Sequence, residues 1–259
     1  MKISVKPNIL KYLVLGAGAL GLLLRFLLYA TGTDDQGLLA RGHFAHYLIW
    51  ILTAVTLVGT FLLSRSISGP EFYRDCFPTC VPGGIGCILA AVGILITTIA
   101  EMSAGAGSAE LACTVLGFAA ALILLFLGFC RLSGFEPSFL FEAVLCVYFA
   151  VRMVAQYRYW SADPQLMDYC FHLLACVGLM LSAYHHAAFA AGMGSHRQLW
   201  FFNLAAVYLC CLALAGPEDQ LFYLTAGIWL FTNLTSLAAQ PRRRRAALNL
   251  EEERETTEE

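Results

Sequence analysis

The sequence predicts an all-α fold: a polytopic membrane bundle of eight transmembrane helices with both termini in the cytoplasm. Three observations predict it. Of 259 residues, 59% are hydrophobic and only 13% are Asp, Glu, Lys or Arg, about half the usual charged share near 25%, and mean hydropathy is +0.69. So few charges cannot coat a water-facing surface, and disorder needs the opposite composition. Next, eight apolar segments reach the roughly 20 residues that a bilayer-crossing helix requires: about 9–30, 42–64, 81–101, 110–130, 137–158, 165–189, 198–215 and 220–239. Their continuous apolar runs lack the ten-residue alternation of barrel strands.

The third observation is the placement of Lys and Arg, which sets orientation. With the N-terminus inside, the inner segments carry twelve of them: Lys2, Lys6, Lys11, Arg65, Arg74, Arg131, Arg197, Arg242 to Arg245 and Arg254. The outer loops carry two, Arg41 and Arg158, and are otherwise acidic, with Asp34, Asp35, Glu110, Asp163, Glu218 and Asp219. The expected location is the cell (plasma) membrane, with residues 1–240 as the transmembrane domain and 241–259 as a charged cytoplasmic tail. A net charge of −2 gives no electrostatic reason to expect nucleic acid.

Each segment has its own justification. The first lacks a small-residue cleavage site after a short apolar core, so it reads as a retained span rather than a removable signal peptide. Its Gly16, Gly18 and Gly21 match G-x-G-x-x-G, but the run after them has no polar face and no second strand follows, which excludes dinucleotide binding. Small residues that permit close helix packing explain these glycines better. The second segment opens on His43 and His46 and stops at Arg65. The following inner loop holds Pro70, Cys76, Pro78, Cys80 and Pro82, read as a short re-entrant or interfacial turn, because two thiolates do not complete a zinc site. The third segment closes on Glu101 and the fourth on Arg131. The fifth starts after Pro137 and carries Glu142 and Arg152. The sixth opens near Asp168 and His172, the seventh holds Asn203, and the eighth holds Asn233 and stops at Pro241 before four arginines. That basic cluster reads as a stop-transfer anchor leading into a solvated tail. The ten cysteines lie mostly in spans, where thiols act as small apolar groups, and form no disulfide framework.

The chain carries signs of two parallel four-helix repeats, with halves 9–131 and 137–240. Arg25 and Arg152 occupy the outer thirds of spans one and five, each followed by an acidic loop and then by polar residues, His43 and His46 in one half, Asp168 and His172 in the other. Leu-Ala-Ala-Val recurs at 89–92 and 204–207. Parallel repeats of this kind occur in transporters, with sites at the repeat interface.

Ionisable groups within spans are costly and are functional candidates by default. Arg25, His43, His46, Glu101, Arg152, Asp168 and His172 all fall near the outer boundary. His43 and His46 share a helix face, as do Asp168 and His172. The expected substrate-binding set is Arg25, Arg152, His43, His46, Asp168 and His172, an outward vestibule that attracts a small, anionic solute or lipid headgroup. The competing reading has both arginines snorkelling to the headgroups. Glu142 is the proton-coupling candidate, deep enough to meet Asn203 and Asn233 in a buried polar contact that equally well just fastens helices.

His172 and His186 stand fourteen apart, about 21 Å at roughly 1.5 Å per residue. This resembles the paired-histidine spacing of di-haem b-type cytochromes, but on one helix only, since Thr60 occupies the position fourteen beyond His46. The resemblance implies haem b as an alternative cofactor, and three ligands from His43, His46, Asp168 and His172 make zinc another, with His46 and His172 as the metal candidates. The leading expectation is neither cofactor. No H-E-x-x-H, G-x-S-x-G or P-loop is present. The functional expectation is a small-molecule permease or membrane ligand-binding protein in contact with the lipid bilayer, with room for a homo-oligomer. The alternatives are a haem- or metal-dependent redox enzyme and an accessory, scaffolding protein.

Overall fold

A computed structural model gives the fold and describes residues 7–32, 43–67, 77, 79–103, 108–161, 169–216 and 219–237. Asp168, Cys76, Arg74 and the tail with Arg242 to Arg245 lie outside the described residues. Among the described residues there are eight helices: α1 Pro7–Thr31, α2 Phe44–Ser64, α3 Val81–Ser103, α4 Ser108–Ser133, α5 Phe139–Trp160, α6 Cys170–Ala190, α7 His196–Ala213 and α8 over 220–237. The chain is thus an all-helical, multi-pass membrane protein by its apolar helices: α1 to α6 are each long and apolar enough to cross a membrane.

The two remaining helices differ for a physical reason. α7 opens on His196-Arg197-Gln198 and carries Asn203, while α8 carries Asn233. Both are enclosed by the others. Leu199, Leu204, Tyr208 and Leu212 of α7 and Phe222, Tyr223, Trp229, Leu230 and Leu234 of α8 are at most 1% exposed. Most of the face turned outward belongs to the other helices, where Leu23, Ile51, Val55 and Leu122 are each at least 60% exposed. A contiguous apolar exterior of this kind suits lipid rather than water.

Local chemistry sets several helix ends. Ser138 caps α5, its hydroxyl accepting from the Leu140 N–H at 3.5 Å, and His43 caps α2 through its ring nitrogen and the Ala45 N–H. Gly134 (φ +78°) and Gly192 (φ +74°) stop α4 and α6 in the left-handed conformation that glycine adopts without a Cβ clash.

Missing side chains let the helices approach closely. Gly86 and Gly93 of α3 sit against Thr232 and Thr225 of α8 so tightly that a Cβ on either glycine would strike the threonine side chain. The seven-residue step on both helices, in opposite directions, fixes an antiparallel register. Gly84 and Gly128 make the same kind of approach between α3 and α4, a Cβ on either meeting the other's carbonyl oxygen at 3.1 Å. Ring contacts carry α8 to α5 (Phe149–Trp229, 6.3 Å), α6 (His186–Trp229, 6.1 Å) and α1 (Tyr12–Phe231, 6.1 Å), and Cys210 of α7 lies 3.4 Å from where Gly227 would carry a Cβ. Helix α8 therefore stands among α1, α3, α5, α6 and α7.

These contacts make opposite predictions for two glycines. Gly93→Leu overpacks the α3–α8 contact and lowers stability by about 1–3 kcal/mol. Gly16 has nothing within 4 Å of its Cβ position, so Gly16→Ala raises stability by up to about 1 kcal/mol through helix propensity. Thermal unfolding in detergent reads both signs.

Candidate functional site

The strongest polar assembly stands at the end of the bundle where α5 finishes. Arg152 is 1% exposed, and its guanidinium pairs with Glu101 Oε1 at 2.8 Å and Asp219 Oδ2 at 2.9 Å. Its other amino group faces the Tyr148 hydroxyl at 3.4 Å, and the Phe222 ring lies 4.1 Å away, face-on to the cation. Gln156, one turn further along α5, donates to the same Asp219 oxygen at 2.6 Å. The Gln156 carbonyl accepts from Cys176 of α6 at 3.2 Å and from the Tyr223 hydroxyl of α8 at 3.3 Å. One continuous network thus links the end of α3, α5, α6, the α7–α8 connection and α8.

Asp219 carries a visible backbone cost. Its φ is +56°, a left-handed conformation uncommon outside glycine, asparagine and aspartate. It sits just before α8 and its carbonyl accepts from the Tyr223 N–H at 3.1 Å, the position where an Asp side chain normally caps the helix. Here the carboxylate turns to Arg152 and Gln156 instead. Backbone strain of this sort clusters at functional sites and persists where surroundings over-determine it.

The other expected site residues are placed differently. Arg25 is 2% exposed, its guanidinium donating to the Leu212 carbonyl and the Tyr29 hydroxyl, both at 2.7 Å. It is a buried cation at the C-terminal end of α7, where the helix dipole favours positive charge, rather than a side chain reaching outward. Its guanidinium also lies 5.1 Å from the Phe171 ring, which meets Trp50 at 5.1 Å. His46 accepts the Trp50 indole N–H at 3.1 Å, and His43 lies 3.4 Å from Thr31. His172 is 1% exposed, boxed by Trp160, Tyr169 and Tyr223, and packed so close to Gly216 that a Cβ there would collide with the imidazole. Phe171 and His172 are neighbours on α6, so the Arg25 and Arg152 groups occupy one end of the bundle. Asp168 lies outside the described residues. Glu142 stands in the first turn of α5, ten residues and about 15 Å from Arg152, at the opposite end.

Among the described residues, no group of three His, Cys, Asp or Glu side chains is placed to hold a metal ion. An open apolar groove of about 300 Å³ is lined by Ala112, Ala150, Val151, Val154 and Ala155, and these residues offer a solute no polar side chain. The residues that complete the Arg152 network, Glu101, Gln156, Asp219 and Tyr223, were not among the expected site residues. Glu101 stands among the outer-boundary ionisable groups and Asp219 among the acidic outer-loop residues of the sequence, at the depth of Arg152, but their pairing with it has no sequence signal. No family model matches the chain, and no curated protein or solved structure matches it either.

The unequal exposure of the partners decides how the network fails. Glu101→Gln with Asp219→Asn leaves a buried guanidinium unpaired and costs about 3–5 kcal/mol. Arg152→Met costs less, because the two carboxylates, 37% and 20% exposed, rehydrate. Denaturation of the two variants in detergent gives that order.

Proposed function

We propose that the protein is a permease for a small polar solute, seated in the cell membrane with both termini cytoplasmic, and that the Arg152 network is the closed gate of its outward end. One observation carries the reading: a guanidinium buried to 1% is held by two partly exposed carboxylates from two separate elements, Glu101 ending α3 and Asp219 before α8. A static fastener gains little from such an arrangement, since buried ion pairs are weak sources of stability and apolar replacements commonly do as well. A gate gains a contact that closes in one arrangement and exchanges its partners for water in another. The strained Asp219 backbone supports the same reading, because strain is tolerated where two states must lie close in energy. Attraction of an anion to Arg152 fits only the open arrangement, as both carboxylates already neutralise it in the closed one.

Cys176 reports on the gate without knowledge of the substrate. It is fully buried and hydrogen-bonds Gln156 directly beneath the ion pairs. Glu101→Gln removes the more exposed partner while Asp219 still pairs with Arg152. The variant increases labelling of Cys176 by a membrane-impermeant maleimide added from the Arg152 side several-fold over wild type, with Cys176→Ala identifying the signal. Equal labelling of variant and wild type refutes the gate and leaves the network as a fastener.

A further inference from the structure

At the Glu142 end the bundle encloses a second set of polar groups, and most of them lack partners. Glu142 Oε2, His186 Nδ1, Asn203 Nδ2 and both polar atoms of the Asn233 side chain are buried without a hydrogen bond, on residues at most 2% exposed. Roughly nine in ten buried polar groups are paired, and each exception calls for an explanation such as an absent water, ion or ligand.

Ring contacts, one hydrogen bond and helix register set the four residues at one level of the bundle. The Arg131 guanidinium lies 3.7 Å from the Phe77 ring centre, Phe77 lies 5.6 Å from the His186 ring, and His186 stacks towards Trp229 at 6.1 Å and 27°. Glu142 precedes Phe149 by two turns on the same face of α5, and the pairs Arg152–Phe222 (4.1 Å) and Phe149–Trp229 (6.3 Å) run antiparallel along α5 and α8, which brings Glu142 level with the turn of α8 that carries Asn233. Asn233 follows Trp229 by one helical turn, with its Oδ1 3.8 Å from the Cβ position of Gly83, itself one turn before Cys87.

The hydrogen bonds already made define what remains. Asn203 Oδ1 accepts from the Ser182 hydroxyl and lies 3.2 Å from His186 Nε2. A carbonyl oxygen only accepts, so Nε2 holds the proton and Nδ1 of the neutral ring is an acceptor. Unused acceptors are therefore Glu142 Oε2, His186 Nδ1 and Asn233 Oδ1, and unused donors are the amide groups of Asn203 and Asn233. The two charged residues of this layer, Arg131 and Glu142, oppose one another, so the field favours neither cation nor anion.

We propose that Glu142, His186, Asn203 and Asn233, with the aromatic faces of Phe77 and Trp229, form the solute site. Its ligand is a small uncharged molecule that both donates and accepts hydrogen bonds, of the amide or polyol kind. The proposal deepens the permease reading and rests on it. Osmotic stopped-flow on proteoliposomes tests it, with urea and glycerol as probes and potassium chloride as the ionic control, in wild type and Asn233→Leu. Wild type accelerates entry of urea, glycerol or both over empty liposomes and leaves the salt response unchanged. Asn233→Leu lowers that rate about tenfold, the loss of one or two hydrogen bonds. The same variant raises the thermal midpoint in detergent, because an apolar side chain of similar size replaces two orphaned polar atoms. Faster entry of urea assigns the amide class, and faster entry of glycerol the polyol class. A lowered midpoint, an undiminished rate, or no entry of either probe overturns the proposal. Cys176 labelling is read separately, so a solute site that fails while the gate responds to Glu101→Gln is told apart from failure of the permease reading itself.

Discussion

One buried cation organises an entire end of this molecule. Taking the Arg152 guanidinium out of water is costly by several kcal/mol, and only well-placed opposite charges and further hydrogen bonds offset that. Two carboxylates, a tyrosine hydroxyl and an aromatic face do so here. The demand propagates. Asp219 reaches the guanidinium from a left-handed backbone, its carboxylate is turned away from capping α8, and Gln156 shares the same oxygen while holding Tyr223 and Cys176. The α7–α8 connection, the end of α3 and the last turns of α5 are thus tied to one another by electrostatics as well as by the apolar contact of Phe149 with Phe222.

Away from that end, close approach of backbones does the organising. In lipid, apolar side chains gain little by leaving one apolar medium for another, so helix association relies on van der Waals fit and interhelical hydrogen bonds. The α3–α8 contact is built that way, with Gly86 and Gly93 receiving Thr232 and Thr225. Helix α8, once centred, carries Tyr223 into the Arg152 network and Trp229 and Asn233 into the Glu142 layer. The two polar layers share one helix, an arrangement in which a shift of α8 alters both.

Much of this was legible in the sequence. Apolar runs near 20 residues mark helices strongly, and the expected 42–64 and 81–101 differ from Phe44–Ser64 and Val81–Ser103 by two residues at one end. The depth of each ionisable group was legible too, because depth follows from position along a span. Azimuth was not. Arg25 and Arg152 look alike by depth and loop context, yet one satisfies itself on the Leu212 carbonyl and Tyr29 while the other gathers Glu101 and Asp219. Which helix stands beside which decides that difference, and neighbour relations arise from side-chain fit that hydropathy does not record. For the same reason Asp219 read as one more acidic loop residue, and nothing in the sequence marked Gly216 as the surface on which His172 packs.

The central claim is that Arg152 and Asp219 are energetically coupled and hold the α7–α8 connection against α5. A double-mutant cycle on unfolding stability, combining Arg152→Met with Asp219→Asn, measures that coupling directly. Residues that share a buried network show interaction energies of about 0.5–3 kcal/mol, and the account predicts a value in the upper half of that range. Additivity within about 0.5 kcal/mol, the behaviour of distant, independent sites, would contradict it.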